Sequence, residues 1–382
     1  MRKLLPLFFL LILCQYALAQ RTHSIEMKLY GGSTIPHRAG MESLLHTTAG
    51  GELNYYFCTH SDNFYDVKYR FPQHGFGVSY NYLGSPKVLG SAWSAYSFMD
   101  FDLFSREHFR LGLRVNAGLA YLTRRYDRVN NPENLAISTP ICFYFSAGLD
   151  VAFRLPYGFE LKLMPMFMHY SNGAVLKPNL GLNQGVISIA LSKDIAQRDY
   201  TKERRDYAEG LSPHEAWIFG TCATADEYSV GYEGRGGGFI CSTVAAGYCY
   251  QYGKIGKVGA SFDMFYNENM KYYYFNDQRG LTLWYDKFSE IVKFGIAAGH
   301  QLVYRRFELV SYVGVYVYNK AWAYDWVYFR MGAKYYMTDF MFLNLSLKAH
   351  GFKARYIECG VGFSCRRWKR SRLQEYFSEH IQ

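Results

Sequence analysis

The stretch Phe159-Glu160-Leu161-Lys162-Leu163-Met164-Pro165-Met166-Phe167-Met168-His169-Tyr170-Ser171, followed after a loop by Leu182-Asn183-Gln184-Gly185-Val186-Ile187-Ser188-Ile189-Ala190-Leu191, decides the fold. Side chains of a strand alternate between faces, so Phe159, Leu161, Leu163, Phe167, His169 and Ser171 share one face. That face is apolar until its last two members. Asn183, Ile187, Ile189 and Leu191 share an equally apolar face in the second run. Apolar-out alternation of this kind is the pattern of a transmembrane barrel strand. Just before the first run lies the tight turn Leu155-Pro156-Tyr157-Gly158, and upstream lies the long polar loop 122–139. Bacterial barrels alternate short turns at one end with long loops at the other.

Working outward, about eight strand-like runs precede residue 198, near 22–34, 49–58, 75–83, 88–103, 107–121, 143–154, 157–171 and 182–193. About eight more follow, near 215–225, 237–250, 254–267, 289–305, 307–319, 328–340, 341–350 and 354–365. The segment 59–74 is long for a turn. The polar residues 195–214 read as a linker. Phe342-Leu343-Asn344-Leu345-Ser346-Leu347-Lys348-Ala349-His350 echoes the end of the first half. The expectation is an all-β chain, an antiparallel transmembrane β-barrel protein of two eight-stranded barrel-like halves. One barrel of about sixteen strands satisfies the same count. The divisions are 1–19, 20–197 (first barrel), 198–366 (second barrel) and 367–382 (basic tail).

The first twenty residues set the compartment. Arg2 and Lys3 precede the apolar run Leu4–Cys14, and Ala17-Leu18-Ala19 supplies small residues for cleavage before Gln20. This is the pattern of a secretory signal peptide. After it, no run of 18 apolar residues offers a membrane helix. The 36 Tyr, 29 Phe and 35 Gly against only 10 Pro suit pleated walls and aromatic girdles. A secreted β-sandwich shares the alternation. Of eight cysteines, Cys14 leaves with the signal, and the seven left are an odd number, with no zinc-ligand spacing. No metal or cofactor is implied. The net charge of +10 is concentrated in part at Arg366-Arg367-Trp368-Lys369-Arg370-Ser371-Arg372. In an exported chain that excludes nucleic acid as a partner. It suits a solvated tail or the phosphates of anionic lipid and lipopolysaccharide.

Strand parity also gathers a candidate site. His169 and Ser171 stand at i and i+2, with Cα atoms roughly 6–7 Å apart on the same face. An antiparallel hairpin brings Asn183 to the same side, near His169. The set reads as Ser171 nucleophile, His169 base and Asn183 holding the imidazole, with Asn172 or an amide near Gly173 donating to the oxyanion. If the chain enters from the periplasm, this end faces outward, at the level of the outer leaflet.

The stretch His169-Tyr170-Ser171-Asn172 with Pro178-Asn179-Leu180-Gly181 resembles the signature of the lipid A 3-O-deacylase (PagL-like) family. The resemblance covers roughly residues 22–197. It implies an eight-stranded outer-membrane barrel that removes an ester-linked 3-hydroxyacyl chain from lipid A. It makes His169 the base, Ser171 the nucleophile and Asn172 an oxyanion donor. Two departures stand out. The family's acidic residue falls at Asn183, and Gly173-Ala174 replaces Ala-Gly. Asp127 and Glu133 on the loop 122–139 are the nearest candidates for a substitute carboxylate. Without an acid, the second expectation is a non-catalytic structural or transport barrel with a decayed motif. In the second half, Asn344, Ser346, Lys348 and His350 face one way, and His350 lacks a neighbouring serine. With Glu358 it reads as part of a polar barrel interior.

Overall fold

A computed structural model describes residues 20–368 except 38–40, 61–63, 199–210, 226–237, 254, 273, 277–281, 285–286, 321–325 and 352. The expected signal peptide, the middle of the expected linker and the tail beyond residue 368 lie outside the described residues.

Sixteen long strands close into two separate barrels of eight, not one of sixteen. The first comprises β1 (Gln20–Thr34), β2 (Thr47–His60), β3 (Gln73–Tyr82), β4 (Ser91–Ser105), β5 (Phe109–Leu122), β6 (Ile141–Leu155), β7 (Phe159–Ser171) and β8 (Leu182–Arg198). Each pairs with its chain neighbour, and β1 closes on β8 with Met27 opposite Leu191. The second comprises β9 (Leu211–Ala225), β10 (Phe239–Tyr252), β11 (Gly256–Asn267), β14 (Lys293–Tyr304), β15 (Phe307–Tyr318), β16 (Val327–Tyr336), β17 (Met341–His350) and β18 (Lys353–Trp368), closed by β18 on β9. The short hairpin of β12 (Tyr274–Asn276) and β13 (Thr282–Trp284) lies between β11 and β14.

Alternation makes these walls inside-out relative to a soluble protein. Leu163 is 51% exposed while Lys162 beside it is 0% exposed. Ile187, Ile189, Leu191, Leu161 and Val78 are likewise exposed. A continuous apolar outer wall of this size is stable only against lipid. An eight-stranded barrel has room inside for side chains and little else. The first barrel fills that room with ions. Arg114 bridges Glu26 at 2.5 Å and Asp100 at 3.0 Å, and Lys162 reaches Glu26 at 2.9 Å. Lys28 pairs with Glu52 at 2.7 Å, and Arg110 pairs with Asp100 and Asp150. Buried charges survive only when paired, so this interior is a packed plug rather than a pore. The second barrel repeats the device. Lys257 lies between Glu215 and Glu308, and Arg330 between Asp263 and Glu358. The sequence reading placed Glu358 in such a network, and it is there.

The connections differ from expectation in three places. The long segment 59–74 carries a short helix, Phe64–Lys68. The run expected from 289 starts as a strand only at Lys293, because Phe288–Ile291 form a helical turn first. Its start is tied down by the Lys287 amide donating to Glu290 Oε2 at 3.2 Å. The linker is also shorter than read: β8 runs to Arg198 and β9 starts at Leu211. Among the described residues no disulfide joins the seven cysteines. Cys222, Cys359 and Cys365 are exposed on strands, and Cys142, Cys241 and Cys249 are buried.

Candidate active site

The site is built on the β7–β8 hairpin of the first barrel. The register sets His169 directly opposite Asn183. Both side chains are half-buried at the end of the apolar outer face, beyond Phe167 and Gly185. The His169 ring lies parallel to that of Phe167, 10° apart. Its Nδ1–H donates to Asn183 Oδ1 at 2.5 Å. An amide oxygen only accepts, so this bond puts the proton on Nδ1 and leaves Nε2 with its lone pair. Asn183 is itself fixed by its backbone, whose carbonyl accepts from the Ile35 amide at 2.8 Å.

Ser171 is the last residue of β7, half-buried on the same face as His169. Its Oγ accepts two hydrogen bonds from the following loop, from the Gly173 amide at 3.1 Å and from Asn179 Nδ2 at 3.0 Å. Among the described residues none joins Ser171 to His169. The Gly173 amide can double back because Gly173 and Ala174 both have positive φ, 66° and 67°. Glycine takes that conformation freely, whereas Ala174 holds it against its own Cβ.

The remaining candidates divide. Asn172 is the first residue of the loop after β7, and its side chain is buried within that loop. Its Nδ2 donates to Ser138 Oγ at 3.0 Å and to the Leu176 carbonyl at 2.7 Å. Its side-chain donor is therefore held within the loop and not beside the serine, while its backbone amide donates to Asn179 Oδ1 at 3.2 Å. Asn179 thus joins Ser171 and Asn172 by donor and acceptor at once. The sequence reading named it only as a turn residue. The signal available was an amide side chain directly after Pro178, in a short loop that returns to the serine.

The loop between β5 and β6 buttresses this turn. The Leu180 and Gly181 amides donate to the carbonyls of Leu135 and Ala136, each at 3.1 Å. Ser138 Oγ donates to the Leu176 carbonyl at 2.7 Å. The same loop carries Asp127 and Glu133, and neither reaches His169. The Asp127 carboxylate is exposed and accepts from the Asn130 and Val129 amides at 2.7 and 2.9 Å. Those bonds hold it below the usual carboxylate range. It caps its own turn, so it does not take the place of the acid. Among the described residues no cluster of three or more His, Cys, Asp or Glu side chains is arranged to hold a metal ion. His350 in the second barrel accepts from Arg355 Nε at Nδ1 and bonds Tyr316 through Nε2, both at 2.8 Å.

Closed barrels with apolar outer walls and ion-filled interiors define an integral protein of the bacterial outer membrane, with a polar cluster on the lipid-facing wall. Residues 49–192 match the model of the family Lipid A 3-O-deacylase (PagL), and residues 215–368 match that of Acyloxyacyl hydrolase, C-terminal domain. Between them the two matches take in most of the chain, which belongs to this family of outer-membrane lipid A deacylases. No curated protein sequence matches it. Among solved structures it is similar to the outer membrane enzyme PagL, at 14% identity and TM-score 0.33 over 43% of this chain and 97% of that one. It is also similar to Neisserial surface protein A, at 8% identity and TM-score 0.31 over 45% and 97%. The P. putida toluene transporter TodX aligns over 92% of this chain and 91% of its own, at 9% identity and TM-score 0.19.

Proposed function

We propose that this chain is a serine esterase that removes an ester-linked 3-hydroxyacyl chain from lipid A or a related glycolipid, working from the lipid-facing wall of its first barrel. The observation that carries the reading is the His169–Asn183 hydrogen bond beside Ser171, on a face that is otherwise apolar. With Nδ1–H held by Asn183, Nε2 is the atom that takes the Ser171 proton. The Ser171 alkoxide attacks the ester carbonyl, and the carbonyl electrons move onto oxygen. The Gly173 amide, already aimed at the serine, stabilises that oxyanion. His169 then returns the proton to the departing sugar alkoxide, leaving an acyl-serine. Water, deprotonated by the same imidazole, attacks the acyl-serine and releases the 3-hydroxy acid and Ser171. Asn179 orients the serine oxygen before His169 swings onto it. Free-state catalytic hydrogen bonds are often open in this way.

The loop bonds that hold Ser171 Oγ away from His169 favour a second reading, a non-catalytic barrel. Mass spectrometry of lipid A from envelopes carrying the parent chain or Ser171→Ala separates the two. Loss of one hydroxyacyl mass with the parent alone is the expected result. Identical spectra from both, with folded protein in the membrane, refute the esterase.

A further inference from the structure

The seam that closes the second barrel carries two cysteines at one height. β18 and β9 pair antiparallel from Trp368 opposite Leu211 to Gly360 opposite Thr221. The next step of that register sets Cys359 opposite Cys222. Glu358 and Thr221 are buried inside the barrel, so alternation turns both thiols out onto its outer wall, and both cysteines are exposed there. Opposed Cα atoms of an antiparallel pair lie about 4.5–5.5 Å apart, within the ~4.4–6.8 Å span of a disulfide. The backbones also come close at this point. A Cβ on Gly360 would run into the Gly220 carbonyl oxygen, so the glycines beside the cysteines let β9 and β18 approach.

Four further cysteines face different partners. Cys365 stands opposite Ala216, Cys58 opposite Thr22 and Gln73, Cys241 opposite Asn267 and Ala223, and Cys249 opposite Gly259 and Glu215. Along the outer wall the exposed Ile218, Val361 and Phe363 lead up to the pair, and the exposed Thr224 follows it on β9. Cys222 and Cys359 therefore stand at the edge of the apolar band, within reach of water-borne reagents.

We propose that Cys222 and Cys359 are a disulfide site that clasps the first strand of the second barrel to its last. The structure holds the reduced form. A chain bound for the outer membrane crosses an oxidising compartment, and the oxidant is a protein or low-molecular-weight disulfide there. The thiolate of one cysteine attacks a sulfur of that oxidant, forming a mixed disulfide and expelling one thiolate. The thiolate of the second cysteine attacks the first cysteine's sulfur and expels the other. The two protons given up by the cysteines end on the two thiols released, and the oxidant takes up the two electrons. The bridge encloses residues 222–359, most of this barrel, and so restrains the open chain more than a short loop would. None of this depends on the deacylase reading.

The test uses intact cells producing the full-length chain. N-ethylmaleimide added before lysis, and kept present through denaturing extraction, traps the thiols. The chain is then digested without reductant, and linked peptides are identified by mass spectrometry. Chymotryptic cleavage after Phe363 separates Cys359 from Cys365. The expected result is a peptide joining Cys222 to Cys359, kept in Cys365→Ser and lost in Cys222→Ser. Reduction with a phosphine is expected to lower the temperature at which the compact, heat-modifiable gel band is lost by about 5–15 °C in the parent and not in Cys222→Ser. N-ethylmaleimide on both Cys222 and Cys359 of the parent, or either of them joined to a different cysteine, overturns the site. An unchanged temperature on reducing the linked parent overturns the clasp. Should Cys222→Ser fail to fold, the parent decides alone, because the linkage and its reduction are both read there.

Discussion

Replacing Asn183 by aspartate tests the site more sharply than removing any group. The two side chains have the same shape, so an aspartate Oδ1 takes the place of the amide oxygen now bonded to His169. Two things change. The amide nitrogen, which could leave Nε2 protonated if turned inward, is gone. A full negative charge also stands against the imidazolium that exists only while Ser171 is attacking. With charge centres roughly 4 Å apart and an effective dielectric near 20, the attraction is about 4 kcal/mol. Desolvating a carboxylate at this half-buried rim takes back part of that, leaving about 1.5–3 kcal/mol of transition-state stabilisation. That corresponds to a rise in kcat of about 10- to 150-fold. The reverse change in a serine protease lowers turnover by about 10⁴. Because the charge acts only in the transition state, KM is expected to hold. The assay is release of 3-hydroxy acid from lipid A in mixed micelles, quantified by mass spectrometry across substrate fractions. Unchanged or reduced kcat in folded Asn183→Asp would refute the claim that Asn183 acts through an imidazole base.

Two further outcomes are expected. Asn179→Ala removes the donor to Ser171 Oγ and the acceptor for the Asn172 amide, so kcat falls about 10- to 100-fold with little change in KM, while Asn179→Asp keeps the acceptor and restores only part. Glu26→Leu leaves Arg114 and Lys162 short of their carboxylate inside the first barrel, lowering stability by about 3–5 kcal/mol, read as a fall in the urea midpoint in detergent.

The walls were legible because lipid outside and ions inside impose a two-residue period that nothing else in the chain mimics. The outer face from Phe159 to Phe167 kept that period, although Met164, Met166 and Met168 are apolar on the inner face as well, and strand parity placed His169, Ser171 and Asn183 on one side before any coordinates. Parity also held the fate of Asn172. Asn172, the first residue beyond the strand, continues the alternation that would turn it from Ser171, and its side chain bonds Ser138. What escaped was whatever depended on loops. The doubling-back at Gly173 and Ala174 and the buttress from Leu135 to Ser138 join residues remote in sequence through backbone bonds. The order of amino acids does not advertise such bonds. The helix Phe64–Lys68 is too short to show a period of its own.

The ion-packed interior of the first barrel has a kinetic consequence. With Arg114, Lys162 and their carboxylates filling it, the interior leaves no open channel among the described residues, and His169 and Ser171 stand on the outer face. On the proposed reading, the quantity that governs the rate is then the mole fraction of ester in the surrounding lipid. Adding inert lipid at constant bulk substrate should slow the reaction as though the substrate had been diluted. Adding water should not.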